Sequence, residues 1–214
     1  MKKGFLFIIL LFALIISCSP TKIACIGDSI TYGAGIKGRD SLAYPYQLQQ
    51  KLGKKYKVVN FGVSGATMLK KGNKPYWNTK EYKQSLDFNP KIIVLMLGTN
   101  DSKPVNWNSN NNNYEKDYNE MISKFQKLKS KPTIYLGLPP PVVKDRWGIQ
   151  KDVVQGEVTN LIKKIAKTNN LETIDFQTLF SDKLELLPDN IHPNDKGAKL
   201  IAIAVFKEIR SSNN

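Results

Sequence analysis

The chain contains a single histidine, His192, in the segment Asp189-Asn190-Ile191-His192-Pro193. Histidine is the usual general base near neutral pH, so histidine-dependent base catalysis by this chain would have to use His192. Asp189 precedes it by three positions, close enough for the carboxylate to bond one ring nitrogen and hold the other toward a nucleophile. One histidine and two cysteines are too few for the usual zinc sites, which argues against a catalytic metal.

Two serines are candidates for the nucleophile. Ser29 follows an apolar segment through Gly27, which allows a tight exit from a sheet, and Ser64 lies in a second loop of the same kind. No Gly-x-Ser-x-Gly segment occurs, which argues against an α/β-hydrolase of the usual kind. The backbone N–H groups of Ser29 and Gly65 and the side-chain amide of Asn100 could converge on one oxygen, as acyl transfer requires.

Short apolar segments alternate with helix-like ones along the chain. Strands are predicted at residues 23–26, 56–60, 92–97, 133–136 and 172–175. Helices are predicted at residues 41–52, 114–128, 154–165 and 200–209. This alternation predicts an α/β domain with a parallel sheet that is covered on both faces.

The polar motifs follow the predicted strands directly. Gly27-Asp28-Ser29 follows the first strand, residues 60–65 end the second, and Gly98-Thr99-Asn100-Asp101 follows the third. The segment that contains His192 precedes the final helix. Because ligands bind at the carboxyl ends of the strands in such sheets, these motifs are expected to form one site.

These four segments, in this order, resemble the conserved blocks of the SGNH (GDSL) hydrolase family. Gly27-Asp28-Ser29-Ile30 is similar to the first block, which carries the nucleophilic serine. Residues 60–65 are similar to the second block, and Gly98-Thr99-Asn100-Asp101 to the third. Asp189-Asn190-Ile191-His192-Pro193 matches the block with the Asp-x-x-His pair.

The resemblance implies a three-layer α/β/α sandwich with a mainly parallel, about five-stranded central sheet. It implies ester hydrolysis through an acyl-enzyme, without a metal or organic cofactor. Ser29, Asp189 and His192 would form the catalytic triad, and Ser64 would be a structural residue of its loop. The oxyanion hole would consist of Ser29, Gly65 and Asn100, where Gly65 contributes its backbone amide.

The pattern also resembles carbohydrate O-acetylesterases that act on sialate or xylan, in residues 30–35 and in Lys74-Pro75-Tyr76-Trp77. Tyr76, Trp77, Trp107 and Trp147 are expected in long loops beyond the strand ends. Tyr76, Trp77 and Trp147 are the predicted substrate contacts, since aromatic faces can stack on sugar rings. The alternative is that these side chains pack the loops onto the domain.

Two other functions are compatible with the motifs. A lysophospholipase or acyl-thioesterase would use the same triad but needs an apolar trench beside Ser29. The loops look polar instead, and residues 108–113 are predicted to form a solvated, Asn-rich loop. The other alternative, a non-catalytic glycan-binding lipoprotein, is disfavoured because all triad residues are present.

The N-terminus has the pattern of an export signal. Lys2 and Lys3 precede an apolar run over residues 5–16, which is shorter than the about 20 residues of a membrane-spanning helix. The segment Ile15-Ile16-Ser17-Cys18 resembles a bacterial lipobox. We therefore predict a lipoprotein signal peptide at 1–17, a lipidated Cys18 with a short tether at 18–21, and one hydrolase domain at 22–214. The predicted location is the bacterial cell envelope, on its periplasmic or cell-surface face.

The net charge of +14 is not accompanied by a nucleic-acid-binding pattern. The lysines are scattered through helix-like segments, and no basic run is interleaved with stacking aromatic residues. The predicted partner is a small-molecule or glycan ester, together with the membrane through the lipid anchor, and no protein partner or nucleic acid is predicted. Cys25 lies in an apolar strand and is predicted to be a core residue.

Overall fold

Five parallel strands form the central sheet in the computed structural model, which describes residues 19–211. The strands are β1 Thr21–Gly27, β2 Tyr56–Gly62, β3 Ile92–Met96, β4 Thr133–Leu138 and β5 Glu172–Asp175. The predicted signal peptide at 1–17 and the predicted lipidation site Cys18 lie outside the described residues.

The strands are arranged in the order β2-β1-β3-β4-β5. β1 pairs with β2 on one side and with β3 on the other, so that Cys25 lies between Asn60 and Val94. The chain therefore reverses its direction of travel across the sheet after β2. In parallel sheets, a crevice opens at such a reversal. Here it lies beyond the carboxyl ends of β1 and β3.

Nine α-helices lie within the described part of the chain. They are α1 Ser29–Tyr32, α2 Arg39–Leu42, α3 Tyr44–Leu52, α4 Lys80–Phe88, α5 Pro104–Asn110, α6 Tyr114–Gln126, α7 Thr159–Asn169, α8 Phe176–Leu179 and α9 Asp195–Ser211. Short 3-10 helices occupy Tyr76–Asn78, Asn100–Ser102, Asn111–Asn113 and Leu184–Leu186, and a π-helix at Val153–Val158 leads into α7. None of the helices in this region combines the length and apolarity needed to cross a bilayer.

The helices cover both faces of the sheet, which confirms the predicted three-layer α/β/α sandwich. Side chains alternate between the two faces along a strand. Ala24 and Ile26 of β1 accordingly pack in a core with α4, α6 and α7, where Phe125 is fully buried. Ile23 and Cys25 pack in a second core, formed with α3 and α9.

The predicted elements match the structure most closely in the strands, whose bounds agree within two residues. The helix predicted over residues 41–52 is divided into α2 and α3, and Ala43 between them is extended, with φ −64° and ψ 150°. Pro45 explains the break, because proline lacks an N–H group and its ring clashes with the preceding helical turn.

The prediction that residues 108–113 form a loop is wrong, although these residues are exposed or half-exposed to solvent, as predicted. These residues form the last turn of α5 and the 3-10 helix Asn111–Asn113. The segment is anchored by Trp107, which is 3% exposed, packs edge-on against Tyr114 and donates a hydrogen bond to Glu157. This tertiary packing outweighs the low helix propensity of asparagine.

Candidate active site

Ser29 is the first residue of α1, directly beyond the end of β1. Asp28 caps this short helix, since its Oδ1 accepts a hydrogen bond from the Ile30 N–H at 2.9 Å. Gly27 allows the chain to turn there, because a Cβ atom at this position would lie 2.2 Å from Thr31 Oγ1 and 2.6 Å from the Met96 carbonyl oxygen. The tight turn leaves Ser29 at the crevice between β1 and β3.

The structure brings Ser29, His192 and Asp189 together. His192 Nε2 lies 2.8 Å from Ser29 Oγ, and His192 Nδ1 lies 2.8 Å from Asp189 Oδ2. A carboxylate only accepts hydrogen bonds, so Nδ1 carries the proton and Nε2 is free to accept one from the serine hydroxyl. Asp189 Oδ1 also accepts from the backbone N–H groups of Ile191, at 3.0 Å, and His192, at 2.7 Å.

The charge on Asp189 is stabilised by these contacts. Partial burial acts to raise its pKa, but the hydrogen bonds from the His192 backbone and ring, the His192 charge and the Ile191 N–H together outweigh burial. The pKa of Asp189 is therefore lowered from the ordinary value. An ionised carboxylate beside Nδ1 holds the imidazole in one tautomer and favours its protonated form during proton transfer.

The loop after β2 is joined closely to α1. Asn60 donates a side-chain hydrogen bond to the Thr31 carbonyl at 2.9 Å, and its side-chain oxygen accepts from the Gly62 N–H at 2.8 Å. A Cβ atom on Gly62 would lie 2.2 Å from the Tyr32 nitrogen, so only glycine allows this approach. The second motif is thereby fixed against the helix that carries Ser29.

The peptide between Ser64 and Gly65 is held by a lysine. Lys74 Nζ donates to the Ser64 carbonyl at 2.8 Å. In a trans peptide, the carbonyl and the next N–H point in opposite directions, so Lys74 also fixes the orientation of the Gly65 N–H. This N–H donates to no acceptor among the described residues, and Gly65 adopts a left-handed conformation with φ +81°.

The loop after β3 contributes Asn100 and a buried carboxylate, Asp101. Asp101 accepts hydrogen bonds from the backbone of Met68, at 3.0 Å, and Leu69, at 2.7 Å. The Asn100 side-chain amide points toward Asp28, with Nδ2 3.5 Å from Oδ2. Asp101 therefore connects the loop that carries Asn100 to the loop that carries Gly65.

Both carboxylates beneath the site have raised pKa values. Burial raises the pKa of Asp28 to about 6, although the hydrogen bond from Ile30 and the charge of His192 partly offset it. Burial raises the pKa of Asp101 to about 7, partly offset by the hydrogen bonds from Leu69 and Met68, while the charge of Asp28 adds to the rise. In both cases, removal from water disfavours the charged form.

These loops surround a cleft of about 250 Å³. The residues that line it are Ser29, Ala34, Ser64, Gly65, Asn100, Lys103, Trp147, Ile149 and His192. Ser64 has no hydrogen bond to His192, whose two ring nitrogens already contact Ser29 and Asp189. The arrangement provides a hydroxyl with an adjacent base, and N–H donors in the same cleft, which are the parts that acyl transfer needs.

Among the predicted aromatic contacts, Trp147 alone lines the cleft. It is 55% exposed, and its ring lies 5.6 Å from the His192 ring between centroids. Trp147 and Gly148 have φ values of +53° and +79° in a two-residue turn between the bridged residues Arg146 and Ile149. A tryptophan in this left-handed conformation is strained, and such strain is concentrated at functional sites.

The prediction that Tyr76 and Trp77 contact the substrate is wrong in this structure. Tyr76 is fully buried, and its hydroxyl donates to the Phe61 carbonyl at 2.7 Å. Trp77 is half-buried, donates to the Met68 carbonyl and packs on Tyr82. Trp107, the fourth aromatic residue considered, belongs to α5 and is buried. These three side chains pack loops onto the domain, which is the alternative considered from the sequence.

Several residues at the site were not identified from the sequence. Asp101 stands beside Asn100 in the third motif, and a charged residue next to an apolar strand was the available signal. Lys74 belongs to the segment Lys74-Pro75-Tyr76-Trp77, but nothing in that segment indicated its hydrogen bond to the Ser64 carbonyl. No local signal indicated Lys103, because it is one of many lysines and its position depends on loop packing.

Comparison with known proteins agrees with this geometry. Residues 25–200 match the model of the GDSL-like lipase/acylhydrolase family. An acetylxylan esterase from Xylanibacter ruminicola is 40% identical over 207 residues, which cover 88% of this chain but only 43% of that protein. The chain therefore spans less than half the length of this relative.

Solved structures share the fold at lower sequence identity. An acetyl xylan esterase structure is 24% identical, with a TM-score of 0.66, and the alignment covers 88% of this chain and 99% of the esterase chain. A carbohydrate acetylesterase from Sinorhizobium meliloti is 18% identical, with a TM-score of 0.71, and covers 89% of this chain and 99% of its own.

Proposed function

We propose that this chain, which belongs to the GDSL-like lipase/acylhydrolase family, is a serine esterase that removes O-acetyl groups from carbohydrates. The observation that carries the proposal is the chain of contacts from Ser29 Oγ to His192 Nε2 and from His192 Nδ1 to Asp189, each 2.8 Å long. Ser29 and His192 line the same cleft as Gly65 and Asn100.

The reaction proceeds in two steps. Ser29 Oγ attacks the ester carbonyl carbon as His192 Nε2 takes the hydroxyl proton, and a tetrahedral oxyanion forms. When the intermediate collapses, the bond to the alcohol breaks and the alcohol oxygen takes the proton from Nε2, leaving the acyl group on Ser29. Water then attacks the acyl carbonyl as it gives a proton to Nε2, and Ser29 regains that proton when the acid leaves.

The oxyanion is bound by the backbone N–H groups of Ser29 and Gly65 and by the Asn100 side chain. Neither backbone N–H group donates to a protein acceptor among the described residues. Both are therefore available to an oxyanion. Donors that are fixed before the reaction stabilise the developing charge without a reorganisation cost. Asp189 keeps His192 oriented and stabilises its protonated form between the two transfers.

The preference for acetyl esters of carbohydrates is supported by the similarity to an acetylxylan esterase and by the nature of the cleft. The cleft is small, and among the described residues that line it, the large apolar side chains are Ile149 and Trp147. A long acyl chain would need a continuous apolar channel. The exposed ring of Trp147 is suited to stacking against the face of a sugar.

The test is a series of esters with one leaving group and acyl chains from acetyl to octanoyl, together with acetate release from acetylated xylan. We expect kcat/KM to fall along the series and acetate to be released. In an apolar channel, each buried methylene of the acyl chain would instead stabilise binding by about 0.8 kcal/mol. A steady rise of kcat/KM with chain length would therefore favour a lysophospholipase or thioesterase. The Ser29→Ala variant provides the background rate of each substrate.

We also propose that the protein is held at the bacterial cell envelope by a lipid on Cys18. Support comes from the sequence, in which Lys2, Lys3 and an apolar run precede the lipobox-like segment. Intact-mass analysis of the protein from its native host should show a chain that begins at a diacylglyceryl-modified Cys18. A chain with an unmodified Cys18 would contradict this proposal.

A further inference from the structure

Lys103 is a cationic side chain in the catalytic cleft that has no partner among the described residues. It lies between the 3-10 helix that begins with Asn100 and helix α5. It lines the same cleft as Ser29 and His192 and is half-buried. Residues 19–211 provide no hydrogen bond, ion pair or aromatic ring contact for its ammonium group. An ammonium without an anionic partner in a cleft can form an ion pair with an acidic group of a ligand.

The position of Lys103 is fixed at both the backbone and the side chain. Its carbonyl accepts hydrogen bonds from the N–H groups of Asn106 and Trp107, both at 2.8 Å. The methylene groups of its side chain lie against Gly148, since its Cγ is 3.7 Å from the place of a Cβ atom on that glycine. The lysine stem therefore lies against the turn that carries Trp147, and Lys103 and Trp147 line the same cleft.

The other cations near the cleft are already engaged. Lys74 donates to the Ser64 carbonyl, and Arg146 donates to the Asp189 carbonyl while its guanidinium lies 4.4 Å from the centre of the Trp147 ring. No aspartate or glutamate is among the described residues that line the cleft. A cleft lined by charge of one sign attracts ligands of the opposite sign, and the net charge of +14 acts in the same direction.

We propose that Lys103 is a specificity-determining residue that binds a carboxylate on the carbohydrate, so that the preferred substrate is an acetylated acidic sugar such as a uronic acid. This inference rests on the proposed esterase function. A carboxylate is the expected partner because it adds the attraction of an opposite charge to the hydrogen bond from the ammonium, whereas a neutral hydroxyl offers the hydrogen bond alone. The sugar would lie between Lys103 and Trp147 when its acetyl group reaches Ser29.

The test compares a methyl glucoside and a methyl glucuronide that are acetylated at the same hydroxyl. The two differ only at C6, which is a hydroxymethyl group in the glucoside and a carboxylate in the glucuronide. For the wild-type protein, we expect kcat/KM to be about 10-fold higher for the glucuronide, as for a hydrogen-bonded charge pair. Lys103→Met should bring the ratio close to one, and Lys103→Arg should retain most of the preference. Lys163→Met, which removes the same charge from the exposed surface of α7, is the matched control and should keep the wild-type ratio.

The ratio should also decline as the ionic strength rises, because salt screens a partly exposed ion pair. Equal efficiency on both glycosides in the wild-type protein would overturn the assignment of Lys103 and leave the esterase function intact. A preference that survives Lys103→Met would also overturn it. If the protein hydrolyses para-nitrophenyl acetate but neither glycoside, the carbohydrate specificity itself is wrong, and the role of Lys103 falls with it.

Discussion

The inner part of the cleft is anchored to buried groups. This inner cleft consists of Ser29, Gly65, Asn100 and His192. Asp28 caps the helix that begins at Ser29, and Asp101 holds the loop after Gly65 through two backbone N–H groups. Asn106, also fully buried, donates to the Asn100 carbonyl at 2.8 Å. The helix that carries Ser29, the loop after Gly65 and the loop that carries Asn100 are thus fixed by buried hydrogen bonds.

The outer rim of the cleft, formed by Lys103, Arg146 and Trp147, is held differently. Trp147 is 55% exposed and lies in a strained turn. Arg146 reaches the Asp189 carbonyl through an exposed contact of 3.4 Å, and the ammonium of Lys103 has no partner in the described part of the chain. From this comparison we expect the inner cleft to determine the reaction and the outer rim to select the substrate. Substitutions in the inner cleft should therefore reduce kcat, and those in the rim should alter KM and substrate preference.

Among substitutions that leave the proposed triad intact, the largest effect is expected for Asn100→Ala. Loss of one oxyanion donor should lower kcat by about 10² to 10³-fold, with a small change in KM, because the hydrogen bond is made in the transition state. Steady-state kinetics on an acetate ester measures both constants. A rise in KM at constant kcat would instead place Asn100 in ground-state substrate binding.

Asp101→Asn tests whether a buried carboxylate anchors the inner cleft. The amide keeps the size of the side chain but offers one acceptor oxygen instead of two, so one of the Met68 and Leu69 N–H groups loses its partner. An unpaired buried donor costs about 1–3 kcal/mol, and we expect a loss of that size in the free energy of unfolding, measured in urea.

The same variant should change the pH dependence of stability. Because the pKa of Asp101 is about 7 in the folded protein and 3.8 ordinarily, the folded state binds this proton more tightly. The contribution of Asp101 to stability is therefore full below about pH 4 and is lost as the pH rises through about 7. The free energy of unfolding of Asp101→Asn should fall less than that of the wild type over this interval. Parallel pH profiles would contradict the raised pKa.

Lys74→Met tests how the Gly65 N–H is held. Removal of the hydrogen bond to the Ser64 carbonyl should lower kcat about fivefold, which corresponds to a net hydrogen bond of about 1 kcal/mol. KM should change little, and Lys74→Arg should restore part of the rate. If Lys74→Met raised KM without a change in kcat, Lys74 would belong with the substrate-selecting rim instead.

Trp147→Gly should have the smallest effect on the reaction itself. Glycine adopts the φ value of +53° without strain, so the midpoint of thermal unfolding should be unchanged or higher. KM should rise more for an acetylated oligosaccharide than for para-nitrophenyl acetate, since the smaller ester has no sugar to stack. An equal change in KM for both esters would contradict a role in sugar binding.

The same comparison explains what could be predicted from the sequence. The strands, the layers and the residues of the inner cleft were identified because short apolar segments and strand-end motifs are local patterns. The outer rim depends on how loops pack, so Tyr76 and Trp77 could not be distinguished from Trp147 by residue type. Residues 108–113 were misassigned for the same reason, because Trp107 anchors them through contacts that are distant in sequence.

The most direct test of the account compares Ser29→Ala with Ser64→Ala, two serines that line the same cleft. The measurement is kcat/KM for hydrolysis of an acetate ester by each variant. The account predicts a loss of about 10⁴-fold or more for Ser29→Ala and less than about tenfold for Ser64→Ala, because only Ser29 contacts the base. A Ser29→Ala variant that folds and retains wild-type turnover would contradict it.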